Sequence, residues 1–273
     1  MTTFSFRRGV SHPSKVSLFA LLALTASSFV AAEDDHKFSV SLGVFVTDRE
    51  STTTIGIEGD SAGTPVDLEK DLGLDRSDAV FRLDGFYRFN DKHRIDFSAF
   101  DLSRSSTKAL EFDIDWGGVN YPIDTTVNGE MDLKVYKLAY TWSFLNREKG
   151  YMGITGGLYV ADMNLFMAVE NGTGVSGGGI TAPLPVIGLR GEYQLSEKWF
   201  LRGSSEFFAL QYDSFDGSLT DFYVGVDYQM FKNAAIGIGL NSVGMDVGVE
   251  SSSLTGDLDW QYSGGLVFVK LDF

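Results

Sequence analysis

Apolar and polar residues alternate strictly over much of the chain. Phe81, Leu83, Gly85, Tyr87 and Phe89 occupy every second position, with Arg82, Asp84, Phe86 and Arg88 between them. Tyr136, Leu138, Tyr140, Trp142 and Phe144 alternate in the same way with Lys137, Ala139, Thr141 and Ser143. The pattern returns at Ile187–Gln194, Trp199–Phe208 and Phe222–Met230. A period of two is the mark of a β-strand, whose successive side chains point to opposite faces. The connections organise these strands. NDKH (90–93), NREKG (146–150), SEK (196–198) and KNAA (232–235) are short and polar, and each predicts a tight hairpin turn. Between them lie stretches rich in Gly, Ser and Asp, expected as long loops near 49–77, 104–129, 162–181, 212–219 and 246–257. Short turns and long loops therefore alternate. The reading is ten antiparallel strands, the first near 37–47 and the last near 258–273, with eight or twelve as the alternatives.

A soluble barrel or sandwich would share this alternation, so the residues on each face decide. Tyr87, Phe89, Tyr140, Trp142, Phe144, Tyr193, Trp199, Tyr228 and Phe273 fall near the short-turn ends of strands on the apolar face, as a membrane-interface belt requires. The opposite face carries Arg82, Asp84, Arg88, Asp96, Lys137, Arg190, Glu192, Arg202, Glu206, Asp227 and Lys270, too many charges for a dry core. The expected architecture is all-β: a closed, up-and-down transmembrane barrel with lipid outside and charge inside. Closure leaves no unpaired backbone edge in lipid.

Composition sharpens this picture at the chain start. Arg7, Arg8 and Lys15 precede VSLFALLALTASSFV (16–30), and small residues follow at Ala31 and Ala32. We expect residues 1–32 to be a signal peptide and residues 33–273 to be one barrel domain. The apolar run rises only about 22 Å as a helix, short of a ~30 Å hydrocarbon core. Losing those three basic residues would take the formal net charge from −15 to −18. Such an acidic chain is a poor nucleic-acid binder. With no cysteine, disulfides and thiolate metal sites are excluded.

The leader, the alternating strands, short turns at one end, long loops at the other and the ending LVFVKLDF (266–273) together resemble the bacterial outer-membrane β-barrel proteins. VDLEKDLGLDRSDAVFRLDGFYRFNDKHRIDF (66–97) looks like the opening of many small barrels of that class. The resemblance implies residence in the bacterial outer membrane, with periplasmic short turns and loops facing outward among lipid and lipopolysaccharide. It further implies that the outer-membrane barrel assembly machinery recognises Val267, Val269, Leu271 and Phe273 as its signal. A monomer is expected.

Candidate chemistry is sparse. Enzymatic barrels of the class use histidine-containing sites, but this chain has three histidines and none is expected at the outer rim: His12 lies in the leader, His36 precedes the first strand, and His93 sits in a short turn. No enzymatic role and no cofactor are expected. In DLEKDLGLDRSD (67–78), Asp67, Glu69, Asp71, Asp75 and Asp78 take positions 1, 3, 5, 9 and 12 of a calcium-loop frame. Leu72 stands where that frame needs glycine, so a solvated acidic loop is expected. GTGVSG (172–177) satisfies GxGxxG, but Pro183 and Pro185 follow where a nucleotide-binding turn would open a helix. Inside the barrel, Arg82 with Asp84, Arg190 with Glu192 and Arg202 with Glu206 share a face and suggest a charged network. A ten-stranded barrel is narrow, so the lumen is expected to be mostly plugged, with Gly153, Gly157, Gly188, Gly225, Gly237 and Gly239 as gaps in the filling. The expected role is structural or surface-interacting through the loops. A narrow channel for ions or small solutes is the alternative, and a barrel hydrolase the less favoured third.

Overall fold

The structure, a computed structural model, describes residues 36–56, 63–170, 172, 174–212, 215–250 and 255–273. The expected signal peptide lies outside the described residues. Along the chain run β1 (Phe38–Gly56), β2 (Val66–Asp67), β3 (Ser77–Asn90), β4 (His93–Ala109), β5 (Ile114–Trp116), β6 (Val119–Tyr121) and β7 (Thr126–Arg147). They are followed by β8 (Gly150–Val169), β9 (Val175–Gln194), β10 (Trp199–Tyr212), β11 (Phe215–Phe231), β12 (Ala234–Glu250) and β13 (Thr255–Asp272). Ten of these form one antiparallel sheet in the order β1-β3-β4-β7-β8-β9-β10-β11-β12-β13, and β13 pairs back with β1 to close it. The closing ladder runs from Ser39↔Asp272 to Gly56↔Thr255. All four expected short turns join neighbouring strands.

The expected long loops are much shorter than their sequences suggested, and this corrects our reading of the far end. Strand continues through most of 162–181, where β8 runs to Val169 and β9 starts at Val175. The stretches 212–219 and 246–257 are likewise mostly strand. β7 shows why. Outward from the short turn it presents Phe144, Trp142, Tyr140, Leu138 and Tyr136, then Lys134, Asp132 and Glu130. Inward it presents Ser143, Thr141 and Lys137, then Val135, Leu133, Met131 and Val127. Alternation never stops; the two faces exchange character at about Val135. A strand of 22 residues spans roughly 70 Å, or about 55 Å along the axis at a tilt of roughly 40°. A lipid-facing band needs only about 25 Å of that, so the remainder is a barrel standing in water.

That upper barrel is split. The β9–β10 ladder ends at Ile187↔Phe207. Above it, Pro185 and Pro183 hold their places opposite Leu158 and Val160 of β8, but with no N–H they cannot donate to β10. The β3–β4 ladder ends at Arg82↔Phe100, and β4 continues upward beside β7 alone. Two seams therefore divide the far end into a β4-β7-β8-β9 wall and a β10-β11-β12-β13-β1 wall.

Two chain segments pack between these walls. The stretch 66–74 folds inward, pairing Val66 and Asp67 with Thr53 and Thr52 of β1 and burying Leu68, Leu72 and Leu74 completely. The β5–β6 hairpin turns through Gly117 and Gly118 at φ of 56° and 76°, a two-residue turn open to glycine. It buries Trp116 and Tyr121. Its Gly117 N–H donates to the Ile55 carbonyl at 3.1 Å, while the Tyr121 hydroxyl donates to the Met167 carbonyl at 3.1 Å. One wall holds Ile55 and the other Met167, so the hairpin straps them together. Around both segments the inward faces supply an apolar core that includes Phe45, Leu102, Met131, Leu133, Met163, Leu165, Leu184, Met245 and Trp260.

Candidate functional site

In the lower lumen the charges form two chains of alternating sign. Arg94 is paired with Asp96; Asp96 also accepts from the Thr141 hydroxyl at 2.9 Å and lies 3.7 Å from Arg190. Arg190 reaches Glu206 at 3.0 Å, Glu206 is paired with Lys137, and Lys137 reaches Asp221 at 3.1 Å. Asn241 donates to Asp221 at 2.7 Å and accepts from Arg82 at 2.6 Å, and Arg82 ends the run on Asp84 at 3.0 Å. Nearer the short turns a second chain links Glu192 to Arg202 (2.8 Å), Arg202 to Asp227 (3.0 Å), Asp227 to Lys270 (3.4 Å) and Lys270 to Asp272 (3.1 Å). Each charge in these chains meets at least one of opposite sign, the condition under which ions persist out of water.

The structure thus brings ten of the sequence-derived lumen residues into these chains, and Arg88 lines the vestibule below them. Two expected same-strand pairs differ. Arg190 meets Glu206 and Asp96 rather than Glu192, and Arg202 meets Glu192 and Asp227 rather than Glu206. Arg202 lies directly opposite Glu192 across the ladder, closer than residues two apart on one strand. Sequence reading missed Arg94, Asp221 and Asn241. Arg94 was within reach, two positions from Asp96 on the same face.

The glycines are not gaps. A Cβ on Gly237 would lie 2.2 Å from the Phe268 ring, and one on Gly239 would lie 2.7 Å from the Tyr223 ring. Aromatic rings lie on the bare backbone and fill the space. What stays open is a vestibule of about 680 Å³ at the short-turn end, lined by Arg88, Tyr151, Arg202 and Lys270 among others. A cavity of about 110 Å³ among the ion pairs shares Arg94, Tyr151, Glu192 and Arg202 with it. Leu266 and Phe268 border the smaller cavity, and Tyr159 and Tyr262 are buried as well.

The acidic segment 67–78 departs from its expected solvated form. Glu69 is buried and accepts from the Ser51 N–H (2.8 Å), the Ser51 hydroxyl (2.7 Å) and Arg104 (2.6 Å). Asp67 pairs with Lys70 at 2.6 Å, Asp71 accepts from the Asp67 N–H at 2.8 Å, and Asp78 accepts from the Ala79 N–H at 2.7 Å. Asp75 contributes its carbonyl to Arg104 at 3.2 Å. Among the described residues no group of three His, Cys, Asp or Glu side chains is placed to hold a metal ion. The leucine pattern Leu68, Leu72 and Leu74 was the overlooked sign of burial. GTGVSG leads into β9, with no helix after it.

On the outer face Tyr87, Phe89, Tyr140, Trp142 and Trp199 are exposed at the short-turn end, with Tyr193 and Tyr228 half-buried beside them. Trp199 packs on Tyr228 with centroids 5.0 Å apart, and Tyr87 on Phe89 at 5.1 Å. Val267, Val269, Leu271 and Phe273 are 63, 52, 46 and 63% exposed. Such a row of bare apolar side chains fits the lipid-facing band of a barrel. His36 and His93 both line the short-turn vestibule, and His93 shares a hydrogen bond with Tyr140.

No protein-family model matches the chain, and no curated protein matches it in sequence. Among solved structures, the outer-membrane protease OmpT from Escherichia coli aligns with 90% of this chain and 99% of its own, at TM-score 0.57 and 11% identity. The transport unit of the autotransporter AIDA-I from Escherichia coli covers 90% of this chain and 94% of its own, at TM-score 0.43 and 9% identity. OprG from Pseudomonas aeruginosa covers 86% and 98%, at TM-score 0.36 and 13% identity. With its ten strands closed, its outer band apolar and its lumen charged, the chain has the fold of the bacterial outer-membrane β-barrel proteins.

Proposed function

We propose that the protein is a bacterial outer-membrane barrel with a structural or surface-interaction role, carried by the part that stands above the membrane. One observation supports this reading: the open space lies at the short-turn end and the far end of the barrel is packed. The cavity is bordered by Leu266 and Phe268, and further from the short turns the inward faces, the 66–74 segment and the β5–β6 hairpin pack a largely apolar core around the buried Ser51, Glu69 and Arg104. A hydrated ion would have to shed water to cross the apolar part of that filling. The outer walls are acidic, with Asp246 directly opposite Asp259 and Asp48, Glu50, Asp101 and Glu130 on outward positions. Under this reading the short turns face the periplasm and the walls meet lipopolysaccharide. The chain is delivered with its leader removed, inserted by the barrel assembly machinery through the Phe273 strand, and acts as a monomer. A non-catalytic role is supported by both described histidines lying at the short-turn end, away from the surface that would meet external substrates.

Planar-bilayer recording tests the reading. The purified protein is expected to give no stable openings. Steady, salt-dependent conductance that changes when Arg202 is replaced by alanine would establish a channel instead.

A further inference from the structure

Where the two walls face each other across the β3–β4 seam, one buried guanidinium makes no hydrogen bond through its terminal nitrogens among the described residues. Arg49 lies on the inward face of β1 and is 1% exposed, and neither of its terminal nitrogens has a hydrogen-bond partner among the described residues. Its strand neighbours Asp48 and Glu50 point outward, and Arg76 takes both. The buried carboxylate nearest in the sequence of contacts, Glu69, is already saturated by Ser51 and Arg104. Asp78, Glu69 and Asp75 act on Arg49 through their charge without a hydrogen bond to its terminal nitrogens, and Arg104 opposes it with like charge.

The other unsatisfied polar atoms in this upper core have the same sense. Arg104 Nε and the indole N–H groups of Trp116 and Trp260 are buried donors without acceptors, and the Tyr159 hydroxyl alone could serve either way. Trp260 lies directly opposite Ser51 on the β1–β13 ladder, and Tyr262 opposite Arg49. Ser51 in turn accepts from Arg104 at 3.2 Å. Two guanidinium groups and the Trp260 position thus come together around Ser51, with donor atoms left over among the described residues. A buried, unpaired cation is costly, and a buried orphan polar group marks a missing partner. Water supplies acceptors but no charge.

We propose that Arg49 and Arg104, together with the Trp260 indole, hold one small inorganic anion inside the upper barrel. The anion joins the β1 wall to the β4 wall beside the Glu69 clasp. Burial, and then the charge of Arg104, pushes the Arg49 guanidinium down to about 10 against the pull of Asp78, Glu69 and Asp75.

Titrating detergent-solubilised protein with chloride, bromide or inorganic phosphate against gluconate at constant ionic strength tests the site. The temperature at which the folded gel band converts is expected to rise saturably, by roughly 3–5 °C, and Arg49→Met is expected to abolish the rise. The arm that saturates at the lowest concentration separates a halide from a phosphate. Bromide-soaked crystals should give an anomalous peak within hydrogen-bonding reach of Arg49. Equal anion dependence in wild type and Arg49→Met, or no dependence in wild type, overturns the proposal, as does a bromide map without that peak. None of these outcomes depends on whether the barrel conducts.

Discussion

Near the short turns the inner wall is lined by Asp96, Glu206, Lys137, Asp227 and Arg202, while the outer wall shows Leu138, Tyr140, Leu189 and Val267. At the far end the inner wall is lined by Leu133, Met131, Met163 and Met245, while the outer wall shows Asp132, Glu130 and Asp246. The same strands run through both zones, so the difference comes from the solvent. Against water, burying apolar side chains inward is favourable, and the upper walls pack as a soluble β-sandwich does. Against lipid that gain vanishes, and the interior is held instead by ion pairs that must satisfy one another. The lower ring is therefore intolerant of single losses and the upper core more forgiving.

The sharpest break of this contrast is Glu206→Leu. It leaves Lys137 and Arg190 without their shared carboxylate and is expected to cost about 3–5 kcal/mol. Heat-dependent gel mobility measures it as folded protein converting at a lower temperature. A loss no larger than that of an upper-core truncation would erase the distinction. The matching truncation is Leu72→Ala, expected to cost about 2–4 kcal/mol. Its effect should be local: limited proteolysis should cut faster within 63–76 while the lower barrel keeps its folded mobility. The seam offers a change in the opposite direction. Pro183→Val with Pro185→Val restores two N–H donors facing a strand that lacks partners, and each new bond is worth about 1 kcal/mol. Slower hydrogen exchange in β9 and β10 above Ile187 and Phe207 is the expected readout, and unchanged exchange would mean that something other than proline holds the seam apart.

The smallest expected effect concerns the outer wall. Partial burial, and next the facing Asp246, raise the Asp259 carboxyl above its usual range. A raised carboxyl pKa favours the folded state only while the group is protonated, so its contribution is present at low pH and is lost as pH rises through the folded value. Asp259→Asn should accordingly leave acid stability unchanged and slightly raise the melting temperature at neutral pH. A melting temperature that falls at neutral pH would show that the carboxylate is matched by a cation there.

Much of this architecture was legible in the sequence. The lower strands, their turns and their faces follow from alternation because lipid favours one face that is almost wholly apolar. The upper strands were read as loops, because glycine, serine and aspartate there suggested turns. Yet Met163, Leu165 and Met167 keep the period of two, and only the meaning of inside and outside has changed. The Gly117-Gly118 turn between Trp116 and Val119 was a hairpin signal hidden inside an expected loop. Ion-pair partners such as Arg202 with Glu192 depend on the register between strands, which local pattern does not carry. Arg49 and Arg104 escaped for the same reason as the upper strands: both were assigned to loops, where a charge needs no explanation.

Under the proposed function the midway stop also decides which side of the membrane the vestibule belongs to. Solutes diffusing into it would come from the compartment at the short-turn end, and the ion pairs there would bathe in its pH and salt. Chemical change on the other side would meet the packed upper core first. Any message from there would have to arrive as force on the walls rather than as matter through them.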